Sequence, residues 1–167
     1  PRFLKKDARG SITQTAIGLG ESDNVEHYTD ILSALFLQTG TSVVTRNATT
    51  DQYEQRLTIG NQQEGAELGS VTALTFFTNF VNQAHSTYSW SRTLPSTLDM
   101  FLSGRSAFYI GRASELFGIQ QRNPNLNFDV STLFQTDGAV RSVTYGSFGG
   151  VALLKTSPQF PLAYSVL

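Results

Sequence analysis

The chain has no cysteine among its 167 residues, and only 15% of its residues are charged. The absence of cysteine excludes disulfide bonds, a thiol nucleophile and thiolate-bound metals. It suits the cytosol and equally a bacterial exported protein, so it leaves the compartment open. No apolar run reaches the roughly 18 residues that a membrane-spanning helix requires. The chemistry available to this chain is therefore that of oxygen and nitrogen groups.

The charges that are present nearly cancel. Twelve basic and thirteen acidic residues give a formal net charge of −1. Proteins that bind nucleic acid through its phosphates normally carry a basic excess. The densest basic cluster, Lys5-Lys6, is followed at once by Asp7. We therefore expect no nucleic acid among the partners.

Motifs for metals, cofactors and nucleophilic catalysis are scarce. The two histidines, His27 and His85, have no further histidine or carboxylate at metal-ligand spacing, so we expect no metal site. The stretch "GLGES" lacks the third glycine of a dinucleotide fingerprint, and no "GK[ST]" occurs. A Ser-His-Asp triad can be assembled from distant positions, but no "GxSxG" elbow is present. We expect no cofactor.

The first forty residues predict a hairpin and a helix. Two β-prone runs within residues 2–19 flank a turn in which Gly10 can adopt positive φ. An apolar stripe over residues 24–39 predicts a helix, with Asp23 as N-cap, Glu26 completing a capping box and Gly40 as its stop.

The remainder alternates between helical and extended patterns. The most apolar helix is predicted at 64–83, where Val71, Leu74, Phe77 and Val81 share a face that we expect to be covered. Further helices are predicted at 96–103, at 112–122 and after Ser157-Pro158, and further strands at 106–111, 126–134 and within 139–155. This alternation predicts an α/β domain in which helices cover a mixed sheet.

Three groups of polar and aromatic residues are candidates for a site. The loop Glu21-Ser22-Asp23-Asn24 lies between a predicted strand and a predicted helix, a position that can meet a ligand or merely turn a corner. Trp90, with Tyr88 nearby, is either core or an exposed stacking platform. Glu21, Asp99 and Glu115 could supply the paired carboxylates of a glycoside-active enzyme, or serve in capping and solvation.

Four stretches, taken in order, resemble one known family. They are "GESDNVEHYTDILSALFLQTGT", "LTFFTNFVNQ" with "TYSW", "TLDMFLSGRSAFYIGRASEL" and "GSFGGVALLKTSPQFPLAYSVL". Together they run from about residue 11 to the end and are similar to the bacterial extracellular solute-binding proteins of ABC importers, in the group typified by maltose-binding protein. The third stretch carries the family's F-x-x-G-(K/R)-x-A-(M/F) pattern followed by a strand and glycine.

The resemblance implies a periplasmic-binding-protein-like fold whose two lobes close on a ligand by hinge bending. Residues 1–150 would form most of the second lobe, and residues 151–167 would cross the hinge and begin the return into the first. Both ends of the chain fall inside predicted elements, so we expect a piece of a longer protein. The family's role implies an extracytoplasmic protein, with or without a lipid anchor, that passes a small polar solute, carbohydrate being favoured, to a membrane permease.

The resemblance also implies the site residues. Glu21, Ser22 and Asn24 would face the cleft, and Arg112 and Ser114 follow Gly111 at the turn where maltose-binding protein has a stacking tryptophan. No aromatic residue stands there in this chain, so sugar stacking at that turn is not supported. Trp90 or Tyr145 could take the place of that stacking tryptophan. Phe148 and Gly149 would border the hinge.

Two alternatives remain beside this expectation. A glycoside-active enzyme would need two carboxyl groups about 5–10 Å apart across a cleft. A structural or adhesive surface domain would have no cleft and would bury Trp90. For Arg112, capping or a salt bridge at a surface turn is the alternative to ligand contact.

Overall fold

The computed structural model describes residues 3–55, 69–135, 137, 142–146 and 152–165. They form a mixed α/β structure, which confirms the predicted class. The elements in chain order are β1 (Lys5–Lys6), β2 (Ile12–Gln14), α1 (Tyr28–Gln38), β3 (Val44–Arg46), β4 (Tyr53–Gln55), α2 (Gly69–Thr78), α3 (Thr97–Leu102), a 3-10 turn (Ala113–Glu115), α4 (Leu116–Arg122) and α5 (Phe160–Tyr164).

The strands form two separate antiparallel pairs. β1 pairs with β2, and β3 pairs with β4, with Thr45 opposite Glu54. The predicted mixed sheet is therefore wrong for the part of the chain that the structure describes. The segment 126–134 makes no ladder there, and the segment 106–111 contributes one parallel bridge, from Ser106 to Thr15. A strand pattern shows which residues can extend, whereas a sheet also needs a neighbouring backbone in register.

The predicted N-terminal hairpin is confirmed, and its turn is held by one side chain. The Asp7 carboxylate accepts hydrogen bonds from the backbone N–H groups of Arg9 and Ser11, both at 2.9 Å. Gly10 has φ +83°, the left-handed conformation that the turn requires and that glycine adopts without steric cost.

Helix α1 begins four residues later than its sequence pattern predicts. His27 precedes the helix in the left-handed region, with φ 57°, and its side chain makes no capping bond. The Glu26 carboxylate does not complete a capping box here, because it accepts the Thr97 hydroxyl and, at 3.1 Å, the Leu98 N–H. It therefore satisfies the N-terminus of α3 instead. The predicted stop is confirmed, since Gly40 has φ +73° and donates its N–H to the Leu37 carbonyl.

The core lies where α1 and α2 pack together and are covered by the loop around Trp90. Its buried members are Leu19, Val25, Ile31, Leu35, Ala73, Phe77, Trp90 and Met100. The buried stripe of α2 is Ser70, Ala73 and Phe77. The predicted face was wrong in part, because Val71 and Leu74 remain 41% and 44% exposed. Helical spacing places 70, 73 and 77 on one side and turns 71 and 74 away from α1.

The short helices follow their local signals. Ser96 accepts the Asp99 N–H at the start of α3, and Gly104, with φ +69°, follows its end. α4 ends before Asn123-Pro124, and α5 begins two residues after Pro158. These predictions are confirmed because caps and breakers act within one or two turns of the chain.

Gly18 should tolerate no side chain. It is buried, and an added Cβ would lie against the Thr97 methyl group and 2.9 Å from two carbons of the Trp90 ring. We expect Gly18→Ala to lower the free energy of unfolding by about 1–3 kcal/mol through overpacking, measured by urea denaturation.

Gly118→Ala is the matched control, because nothing lies within 4 Å of a Cβ at that position inside α4. It should stabilise by up to about 1 kcal/mol through helix propensity. Equal effects of the two substitutions would contradict the packing around Gly18.

Candidate functional site

Two extended segments of the chain run parallel side by side, and each is followed by a polar loop. The Thr15 N–H donates to the Arg105 carbonyl at 2.8 Å, and the Ala107 N–H donates to the Thr15 carbonyl at 3.1 Å. This is the pattern of a parallel pair, so the chain emerges from both segments on the same side. We call residues 20–27 and 111–115 together the carboxyl edge. In open α/β sheets ligands bind outside the carboxyl ends of the strands, and the single bridge between Thr15 and Ser106 gives these two loops a comparable position.

Buried hydroxyl groups hold the first of these segments against the loop that carries Trp90. Thr15 and Ser89 are 0% and 1% exposed. The Thr15 hydroxyl donates to the Ser89 carbonyl at 2.6 Å, and the Ser89 hydroxyl donates to the Ile17 carbonyl at 3.0 Å. These bonds satisfy polar groups that would be costly to bury alone, and they fix the approach to the carboxyl edge.

Asn24 fastens the first loop of the carboxyl edge to the rest of the molecule. Its amide nitrogen donates to the carbonyls of Ser91 at 3.1 Å and Leu94 at 2.9 Å, and its amide oxygen accepts the Trp90 indole N–H at 2.9 Å. Both amide hydrogens are therefore used inside the protein. The predicted ligand contact through this amide group is corrected to a structural role.

Trp90 belongs to the core. Its side chain is 0% exposed, and its rings pack over Gly18. Of the two alternatives for Trp90, the core is confirmed and the exposed stacking platform is wrong, because a ligand cannot reach an indole covered on all sides. Burial of Trp90 is also what the structural or adhesive alternative predicts. Tyr88 is half-buried, with the Lys6 ammonium 5.0 Å from the centre of its ring.

Glu21 and Ser22 lie in the first loop with partners close by. The Glu21 carboxylate accepts the Arg92 guanidinium at 3.0 Å, and the side chain of Glu21 is 16% exposed against 69% for that of Arg92. The Ser22 hydroxyl is exposed and donates to the Asp23 carboxylate at 3.2 Å. The loop therefore presents the Ser22 hydroxyl, and its Glu21 carboxylate orients the guanidinium of Arg92 from a neighbouring loop.

Arg112 forms the surface salt bridge that was one of its two expected roles. Its Nε and Nη2 lie 3.0 and 2.7 Å from Asp30 Oδ2. The hydrogen bond to Asp30 is the main cause of the raised pKa of Arg112, and the smallest is the charge of Tyr145. Tyr145 is 40% exposed, and Ser114 is exposed in the 3-10 turn. Phe148 and Gly149 lie outside the described residues.

A contact between the two loops of the carboxyl edge could not be predicted from the sequence. His27 Nε2 lies 3.0 Å from Glu115 Oε1 and donates to it, since an ionised carboxylate only accepts. Glu115 also accepts the Arg112 backbone N–H at 2.7 Å and the Tyr109 hydroxyl at 3.2 Å. A histidine 88 residues away gives no spacing signal, so no local pattern could have found this contact.

The Glu115 cluster shifts two pKa values in opposite senses. Burial alone would raise the pKa of Glu115, but the hydrogen bonds from His27, from the Arg112 backbone and from Tyr109 outweigh it, so this pKa lies below its usual value. Burial, followed by the charge of Glu115, raises the pKa of Tyr109. Glu115 is thus an ionised acceptor and Tyr109 a neutral donor at neutral pH.

The three carboxylates considered for a glycoside-active enzyme all have partners. Glu21 pairs with Arg92 and Glu115 with His27, while Asp99 pairs with Arg122 at 3.0 Å and accepts the Ser96 hydroxyl. Asp99 and Arg122 are more than half exposed. Capping and ion pairing, the ordinary roles of such residues, therefore account for each carboxylate.

The described residues contain neither a metal-binding cluster nor a membrane-spanning helix. They hold no group of three His, Asp or Glu side chains placed to ligate a metal ion. Within the same residues, no helix has both the length and the apolar character needed to cross a membrane.

No model of a known protein family, no curated protein and no solved structure is significantly similar to this chain.

Asn24 should be far more sensitive to truncation than its neighbour Ser22. Asn24→Ala would leave the Trp90 N–H and two backbone carbonyls without partners, so we expect a loss of about 2–4 kcal/mol in the free energy of unfolding. Ser22→Ala removes only an exposed hydroxyl and should change it by less than about 0.5 kcal/mol. The free energy of unfolding of each variant is measured by urea denaturation, with Trp90 fluorescence as the signal. Similar losses of stability in the two variants would contradict the role assigned to Asn24.

Glu115 should make stability depend on acid pH. Its pKa is lower in the folded chain than in the unfolded one, so its contribution is fully present above the unfolded value of about 4.3 and is lost as the pH falls through the folded value. We expect the unfolding midpoint to fall more steeply in the wild type than in Glu115→Gln between about pH 5 and pH 3.

Asp99→Asn is the control for this pH series, because an ion pair as exposed as Asp99–Arg122 contributes little. A pH profile that Glu115→Gln leaves unchanged would show that the hydrogen bonds to Glu115 carry no linkage.

Proposed function

We propose that this chain is part of the extracytoplasmic solute-binding component of an ABC importer, and that it binds a small polar solute, with carbohydrate favoured. In this proposal residues 1–150 form most of the second lobe of a periplasmic-binding-protein-like fold, and residues 151–167 cross the hinge. The solute lies in the cleft between lobes. The single observation that carries the proposal beyond the family resemblance is the carboxyl edge, where two polar loops follow a parallel pair.

The groups proposed to meet the solute are the exposed side chains of Ser22, Arg112 and Ser114 at the carboxyl edge, together with the less exposed Glu21 and with Tyr145. Glu21 and Arg112 are each oriented by an ion pair, so their remaining donors and acceptors are preorganised. Preorganised polar groups bind a hydroxylated solute without the entropy cost of ordering long side chains.

Trp90, buried next to the carboxyl edge, and Asn24, half-buried within it, have a supporting role in this proposal. Trp90 and Asn24 support the first loop of the carboxyl edge. A movement of that loop would change the environment of the indole through the 2.9 Å hydrogen bond from the Trp90 N–H to Asn24. Phe148 and Gly149 are assigned to the border of the hinge on the family resemblance alone. The permease partner and the extracytoplasmic location have the same basis.

Binding is preferred to catalysis because the acids and bases of the carboxyl edge are already engaged with one another. Glu115 is held ionised by three hydrogen bonds, whereas a general acid for glycoside cleavage needs a raised pKa. The Glu21 carboxylate is already paired with the guanidinium of Arg92 at 3.0 Å. An ionised Glu115 can orient a solute but does not supply the proton that the reaction needs.

A solute panel tests the proposal in the protein that carries both lobes. Mono- and oligosaccharides, amino acids and polyamines are added while the unfolding midpoint and Trp90 fluorescence are followed. A true ligand at a hundred times its Kd should stabilise by about 2.7 kcal/mol. We expect one sugar class to do so, with the Trp90 signal changing because its N–H partner lies in the binding loop.

Two arginine variants separate binding at the carboxyl edge from binding elsewhere. Arg112→Gln should weaken binding of the active solute by about tenfold or more, as expected for the loss of a charge-assisted hydrogen bond. Arg122→Gln, which removes an equally exposed paired arginine from α4, should not. The proposal fails if a cooperatively folded protein shows no shift across the panel, or if both variants weaken binding alike.

A further inference from the structure

The guanidinium of Arg112 is bound along one complete edge. Its Nε and Nη2 both point at Asp30 Oδ2, at 3.0 and 2.7 Å. This pair of N–H groups is the one with which arginine binds a carboxylate or phosphate in a fork-like arrangement. The side chain of Arg112 is nevertheless 57% exposed, so solvent reaches the group that Asp30 occupies.

Asp30 holds this position through the structure of α1. It lies in the first turn of the helix, next to the buried Ile31, and its side chain is 24% exposed. An anchored carboxylate competes with a free anion as an intramolecular ligand, with a high effective concentration. A dissolved anion at millimolar concentration therefore meets an arginine whose Nε–Nη2 edge is already occupied.

The surroundings of Arg112 add a repulsive element. The Glu115 carboxylate binds the backbone N–H of Arg112 at 2.7 Å, so an anion approaching the guanidinium faces two carboxylates. A second exposed guanidinium, that of Arg92 next to the first loop, is paired through one nitrogen, with Nη2 3.0 Å from Glu21 Oε2. Like charges placed against the wrong ligand are a common source of specificity.

We propose that Asp30 is a specificity-determining residue that excludes oxyanionic solutes, whether carboxylates or phosphates, from Arg112 at the carboxyl edge. The edge then accepts uncharged hydroxylated groups, which use the outer donors of an arginine that Asp30 orients. This assignment rests on the proposed function, because it concerns the selectivity of that same edge. Asp30 acts through Arg112 and need not touch the solute itself.

Inorganic phosphate is the probe that tests this assignment in the purified full-length protein. Phosphate is titrated at neutral pH and constant ionic strength, and the Arg112 Nε–H resonance is followed by NMR with labelled arginine. Asp30→Asn keeps the size of the side chain and removes its charge. We expect it to bind phosphate about tenfold tighter than the wild type, as a newly available charge-assisted pair would.

Three further variants make the result specific to this pair. The double variant Asp30→Asn/Arg112→Gln should lose the gain, and Asp30→Glu, which keeps a carboxylate, should bind phosphate as weakly as the wild type. Asp129→Asn removes an exposed carboxylate whose described contact is with the adjacent Val130 N–H, so it controls for the change in net charge. It should leave the Arg112 resonance unaffected by phosphate.

The proposal is overturned if Asp30→Asn binds phosphate no tighter than Asp129→Asn, or if the wild type already binds it as tightly as Asp30→Asn. Asp30→Ser, which also removes the carboxylate, replaces Asp30→Asn should that variant not fold, and the same gain is expected. Phosphate binding is read without any member of the solute panel, so a silent panel would defeat the proposed function while leaving this result readable.

Discussion

The buried indole of Trp90 is the contact on which the described structure most depends. Its rings fill the space that Gly18 leaves open, and its N–H is satisfied by the Asn24 side chain at 2.9 Å. Asn24 in turn binds two carbonyls of the loop that carries Trp90. One apolar contact and three hydrogen bonds thus join the core to the first loop of the carboxyl edge. The loop inherits its rigidity from the core.

Ion pairs and hydrogen bonds hold the second loop of the carboxyl edge, residues 111–115, against the rest of the molecule, as Trp90 holds the first loop. His27 and Asp30, three residues apart at the start of α1, bind Glu115 and Arg112, which are three residues apart at the 3-10 turn. Each side offers one proton donor or cation and one carboxylate, so the two contacts are reciprocal. Solvent screens exposed pairs, and their value here lies more in direction than in stability. They hold the guanidinium and carboxylate groups in fixed orientations.

Local signals in the sequence succeeded where the physical cause is also local. The Gly10 turn, the stop at Gly40 and the Ser96 cap were predictable because each acts on neighbouring backbone groups. The start of α1 was mispredicted although its capping pattern was good. Glu26 binds the N-terminus of α3, more than seventy residues along the chain, and a partner at that distance outweighs a box worth about 1 kcal/mol.

The sequence by itself determined the α/β class, the C-terminal ends of α1, α3 and α4, the near-neutral charge and the position of the polar loop at 21–24. Only the tertiary structure decided that Trp90 is core, that Asn24 serves the backbone and that Arg112 is bound by Asp30. The reason is that composition and periodicity act over a few residues, whereas the partner of a buried or charged side chain is set by which distant segments pack together. The residue type limits the contacts that a side chain can make, and its neighbours in space determine which of those contacts it makes.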